Sequence, residues 1–79
     1  MDNRGYTTRI VEAVNSADSK SSLGVVLGKF CIRKDIPVSD VAEYFGVSRM
    51  TIYKWFVGEW IPRKRHTEKI LKITGKAKQ

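Results

Sequence analysis

The sequence predicts an all-α fold, a compact bundle of about five short helices, and three observations predict it. Apolar residues recur at spacings of three and four through five separate segments, the period of one helix face. Glycine, proline and serine fall between those segments, where helices start and stop. No run of alternating apolar and polar residues argues for a strand, and no internal repeat is visible. The 79 residues, 42% of them apolar, suffice for one marginally stable domain and leave no room for a second.

Taken in order, residues 1–6 are expected to fray. Thr8 to Asn15 carries Ile10, Val11 and Val14, a one-sided spacing that suits a short amphipathic helix. Asn15 to Ser22 is polar and serine-rich and reads as a loop, with Ser21 or Ser22 as the N-cap of a second helix. That helix runs from Leu23 to Lys34, its apolar stripe made by Leu23, Leu27 and Phe30 with Val26 beside them. Arg33 and Lys34 in its last turn suit the negative end of the macrodipole. Gly24 and Gly28 each cost about 1 kcal/mol of helix propensity relative to alanine. Their spacing of four admits close approach of another helix, but Lys29 and Arg33 interrupt the face and rule out a membrane dimer motif.

Pro37 opens a third helix, Val38 to Phe45, whose inner face is Val38, Val41, Ala42 and Phe45. Gly46 terminates it in the left-handed conformation. Ser48 caps a helix from Arg49 to Val57 with Ile52, Trp55 and Phe56 on its apolar face, and Gly58 ends it. Trp60, Ile61 and Pro62 form a connector. A last helix runs from Thr67 to Thr74 with Ile70, Leu71 and Ile73 inward, and Gly75 stops it. The chain thus divides into an N-terminal extension with a short helix over 1–21, a helical domain over 22–75, and a basic tail over 76–79.

The net charge of +7 is informative because of where it lies. Residues 1–46 carry six basic and six acidic side chains, whereas residues 47–79 carry nine basic against two acidic, Glu59 and Glu68. A one-sided basic field is what a polyanion partner needs, since each neutralised phosphate releases condensed counterions; a solubilising basic tail is the bland alternative. The single cysteine, Cys31, excludes an internal disulfide, and its neighbours Phe30 and Ile32 predict a buried thiol. His66 is the one histidine and has no partner at metal-ligand spacing. There is no Gly-rich phosphate loop and no paired carboxylates in an apolar setting, so no enzyme, cofactor or small-molecule substrate is expected. The apolar runs are too short for a membrane span or a signal peptide, which places the chain in the cytoplasm as an expectation.

The most informative stretch is VSDVAEYFGVSRMTIYKWF, residues 38–56. Two short helices joined by a tight glycine-containing turn cross at a steep angle. That crossing needs a small residue at the contact, Ala42, a residue tolerant of positive φ at the turn, Gly46, and apolar residues to fill the wedge, Val47, Ile52 and Trp55. In these positions the stretch resembles the helix-turn-helix of the Cro and phage-repressor family, also called XRE-type or lambda-repressor-like domains. The resemblance extends over residues 22–75: Leu23, Leu27 and Phe30 sit where the first family helix packs, and Gly58 and Pro62 match a glycine and proline that come after the recognition helix. Pro37, Phe56 and Val57 depart from the family pattern, and Thr8 to Asn15 lies outside it. Excisionase-type and MerR-type modules share the core but carry a β-wing, and no strand pair follows Gly58.

The resemblance implies a role for each residue. The helix after Gly46 enters the major groove of double-stranded DNA and reads bases with Ser48, Arg49 and Met50, with Lys54 one turn on. Arg49 and Lys54 suit guanine, and Met50 suits a thymine methyl. Thr51 and Tyr53 suit phosphate, as do Arg63, Lys64 and Arg65. Ser48 has capping as its plain alternative, and the Arg63 to Arg65 cluster has solvation. Phe56 and Trp60, four apart, form either an exposed patch for a homodimer or a satellite cluster against the closing helix. The family implies a small prokaryotic or phage transcriptional regulator, a repressor above all. An excisionase-like accessory factor and a protein-interaction module on the same fold are the alternatives.

Overall fold

Helices form along this chain where a capping group meets an apolar stripe. The computed structural model describes residues 6–18 and 22–75. Among them lie five helices and no strand: α1 (Thr8–Ser16), α2 (Leu23–Arg33), α3 (Val38–Phe45), α4 (Arg49–Phe56) and α5 (Lys64–Thr74). The fraying expected over residues 1–5, the loop residues 19–21 and the basic tail 76–79 lie outside the described residues.

The helix starts obey the caps. Thr7 Oγ1 accepts from Ile10 N–H at 3.2 Å, Ser22 Oγ from Gly24 N–H at 2.9 Å, and Ser48 Oγ from Thr51 N–H at 3.2 Å. Each satisfies one of the orphan donors of a helix N-terminus. Pro37 starts α3 without a side-chain cap, its φ of −61° already near the helical value. Two ends share one solution. After α2, Asp35 takes φ 64°, and Ile36 N–H reaches back to Cys31 C=O at 2.9 Å. After α3, Gly46 takes φ 69°, and Val47 N–H reaches Ala42 C=O at 3.0 Å. This left-handed closure turns the chain sharply and satisfies the last carbonyls of each helix.

α2 is the central helix, packed against α1, α4 and α5, while α3 packs on α4. Its buried face is Gly24, Val25, Leu27, Gly28 and Cys31. The expected stripe of Leu23, Leu27 and Phe30 is therefore rotated: Leu23, Val26 and Phe30 are half-buried flanks. The two glycines cause the rotation. A Cβ at Gly24 would sit 2.5 Å from the Trp55 carbonyl oxygen, and one at Gly28 would sit 2.9 Å from Phe56 Cγ. The missing side chains let the α2 backbone close on the Trp55 carbonyl at Gly24 and on the Phe56 side chain at Gly28, which sets the face of α2 that meets α4.

Two further expectations are corrected. Tyr6, placed in the frayed start, is buried and stacks on Phe56, ring centroids 5.9 Å apart. Burying an aromatic ring is worth about 2–3 kcal/mol, enough to order the residue that carries it. The last helix begins at Lys64, a turn before Thr67. His66 and Ile70 are its buried residues, spaced by four, and the Thr67 hydroxyl donates back to Lys64 C=O at 2.7 Å within the helix. Cys31 is fully buried, and that burial pushes its thiol pKa up to about 12, which removes the thiolate at neutral pH. No helix among the described residues is long and apolar enough to cross a membrane.

Candidate nucleic-acid interface

The helix α4 is anchored on one side and bare on the other. Ile52, Trp55 and Phe56 are buried against α2 and α3, with Phe45 meeting Trp55 edge-on at 5.6 Å between centroids. Ala42, the small residue where α3 meets α4, is buried, and Val47 in the turn packs on the same core. Three residues, Gly46, Val47 and Ser48, separate the two helices. The wedge residues read from the sequence are thus together in space.

The bare side carries the expected reading residues. Ser48, Arg49 and Met50 are all exposed at the start of α4, and Met50 is a large apolar side chain that is 62% exposed. Exposing that much methionine costs hydration free energy that a buried site would recover. Ser48 is the cap of α4, and its hydroxyl also lies 3.1 Å from Thr51 Oγ1, so both hydroxyls are engaged with each other and with the helix start. The capping role is therefore occupied. Tyr53 is half-buried against the core.

Lys54 is one turn beyond Met50 and is not bare. Its Nζ lies 2.7 Å from Glu59 Oε1 and 5.9 Å from the centre of the Trp60 ring. Trp60 is 47% exposed and Ile61 73%, whereas Phe56 is fully buried. Phe56 and Trp60 consequently share no exposed surface, so of the two alternatives for this pair the joint exposed patch is not formed. The left-handed turn at Gly58 redirects the chain between them, and Tyr6 covers Phe56 from the other side.

Arg63, Lys64 and Arg65 are exposed around the start of α5. Three cations at the positive end of a helix dipole, with no acidic residue in the first turn, form an unfavourable arrangement for the free protein and a favourable one for an anion. Arg65 and Lys69 line a recess of about 310 Å³ with Phe45 and His66. Lys69 Nζ donates to Tyr44 C=O at 3.3 Å and lies 5.2 Å from the Tyr44 ring centre, closing the end of α3 from α5.

His66 is the residue that sequence reasoning undervalued. It is 7% exposed, with its ring 5.1 Å from Trp55 and 6.1 Å from Phe45 between centroids. Burial holds its pKa below the usual histidine value, and Arg65, Lys69 and Arg63 push it further down. It acts as a neutral aromatic that pins α5 onto the α3–α4 pair. The spacing of His66, Ile70 and Ile73 along α5 carried that signal, once histidine is counted among the core formers.

Every anchored residue of α4 is apolar and every fully exposed residue of its first turn is polar, cationic or methionine. The first turn of α4 is thus an exposed edge on a buried helix, and the exposed cations Arg63, Lys64 and Arg65 lie around the start of α5. Comparison of the chain with family models, curated proteins and solved structures finds no match.

Proposed function

We propose that this chain is a sequence-specific double-stranded DNA-binding protein, a small transcriptional regulator of the Cro and phage-repressor kind, that inserts α4 into a major groove. The observation that carries the reading is the free edge formed by Ser48, Arg49 and Met50 on a helix whose opposite side is locked in the core. An α-helix with its side chains is about 10–12 Å across, which a major groove about 12 Å wide admits. Arg49 donates to a guanine edge, and Met50 packs against a thymine methyl. Arg63, Lys64 and Arg65 neutralise phosphates beside the reading helix, which accords with the concentration of net positive charge after Gly46.

The test is an Arg49→Ala, Lys54→Ala double variant in a duplex-binding titration at fixed salt. Affinity for a selected duplex is expected to fall by about 10-fold or more, the worth of one or two base contacts. Unchanged affinity sinks the reading. The exposed Trp60 and Ile61 favour a second reading, a protein-interaction module on the same fold, because contiguous exposed apolar side chains mark partner surfaces. Unchanged duplex affinity in the Arg49→Ala, Lys54→Ala variant would favour this second reading.

A further inference from the structure

His66 is only 7% exposed, yet among the described residues its imidazole makes no hydrogen bond, and its nitrogens are not sealed from solvent. The ring lies against Phe45 and Trp55, 6.1 and 5.1 Å away between centroids. The open side is the recess of about 310 Å³ that His66 lines with Phe45, Arg65 and Lys69. Arg65 and Lys69 are four apart on α5, so they are neighbours on its surface, and both are exposed. Among the described residues no acid pairs with either of them. Lys69 gives one donor to Tyr44 C=O at 3.3 Å and keeps two. The first turn of α5 has no acidic residue and no side-chain cap, so its N–H groups add to the positive field.

We propose that this recess binds one phosphate group, with Arg65 and Lys69 closing on its oxygens and the His66 ring N–H donating from the floor. Donors on three residues around one recess suit a tetrahedral oxyanion better than a planar carboxylate, and the guanidinium fork of Arg65 can take two of its oxygens. The proposal is independent of the reading helix. The phosphate belongs either to a nucleic-acid backbone or to a free phosphorylated solute, and the recess recognises what the two share. Binding carries a proton signature. The charged groups that act on His66 are Arg65, Lys69 and Arg63, while α3 and α4 face it with the uncharged rings of Phe45 and Trp55. Burial first, and then those cations, hold its pKa below the ordinary histidine value. An anion seated among the cations offsets their push, so the complex takes up a proton more readily than the free chain. Affinity therefore rises as pH falls through the pKa of the complex and levels off below the lower pKa of the free chain.

His66 is the one histidine of the chain, so its ring signals in proton NMR report on the recess alone. The probe is sodium sulfate, a tetrahedral oxyanion that keeps both charges where inorganic phosphate would itself titrate, set against sodium chloride at equal ionic strength. Sulfate is expected to shift the His66 signals saturably and to raise the pKa of His66 by about 1 relative to chloride. An Arg65→Gln, Lys69→Gln double variant, checked for folding by circular dichroism, should lose that difference. Lys72→Gln, which removes an exposed cation of α5 outside the recess, should keep it. A random-sequence duplex at low salt forms the second arm. If the duplex raises the pKa of His66 and sulfate displaces it more effectively than chloride does, the phosphate is that of a backbone. If sulfate acts equally on the duplex-bound chain, the ligand is a free phosphorylated solute. If no duplex binds while sulfate acts as expected, the DNA reading fails and the recess site stands. The proposal is overturned if sulfate does no more than chloride, if the double variant responds like the wild type, or if Lys72→Gln loses the response as fully.

Discussion

Gly24 is the position where a single methyl group has the clearest consequence. The atom it would meet is a backbone oxygen of Trp55, which already accepts from Gly58 N–H and cannot rotate away. Gly24→Ala is expected to destabilise the fold by about 1–3 kcal/mol despite the better helix propensity of alanine, read as a lower denaturant midpoint. A neutral or stabilising result would mean that α2 and α4 have slack between them. His66 makes a second residue-scale prediction, this one in pH. Its folded pKa is held below the unfolded value of about 6.5, so the unfolded chain binds the extra proton first. Stability is then fully present above about pH 6.5 and is lost progressively as pH falls through the window beneath it. Thermal melts from about pH 7.5 to about pH 5 should show this loss for the wild type and a smaller one for His66→Phe, which keeps an aromatic ring between Phe45 and Trp55.

At the scale of elements, the starts and stops of helices were the most legible part of the sequence, because they depend on local chemistry. Ser22, Pro37, Gly46 and Ser48 do in the structure what their side chains or missing side chains dictate within four residues. Facing was less legible. On α2 the apolar residues nearly encircle the helix, so periodicity alone could not say that the glycine row, and not the Leu23 row, meets α4. The start of α5 was missed because three cations and a histidine disguise its first turn. Phe56 is buried on the apolar face where its spacing put it, but its partner Tyr6 was missed, because the two lie fifty residues apart in sequence. Among the site residues, Arg49 and Met50 are exposed where expected, while the engagement of Lys54 by Glu59 depends on the bend at Gly58 and lay beyond local reading. The cap at Ser48 gives an element-scale test that separates its two roles. Ser48→Ala should cost about 0.5–2 kcal/mol of stability, and Ser48→Asn, an equally good cap, should cost almost none. If Ser48 also contacts DNA, Ser48→Asn alters the selected sequence while the melting temperature holds.

For the molecule as a whole, α2 serves as a spine on which α1, α4 and α5 are arranged, and α3 reaches it through α4. The Cα radius of gyration, 11.3 Å, is close to the roughly 11.6 Å expected of a compact chain of this length. The net charge of +7 is carried by residues 47–79, the part of the chain that supplies α4 and α5. Electrostatic steering should therefore orient the molecule before contact, making association fast at low salt and markedly slower at high salt. Charge by itself would coat any polyanion, so sequence reading depends on the edge of α4. The decisive measurement is selection of bound duplexes from a random pool at one salt concentration, run in parallel for the wild type and Arg49→Ala. The wild type should enrich a defined motif, and Arg49→Ala should lose preference at one guanine, worth about 1–3 kcal/mol, while keeping the rest. Steep salt dependence with no enriched motif, or an identical motif from both proteins, would contradict a reading helix at α4.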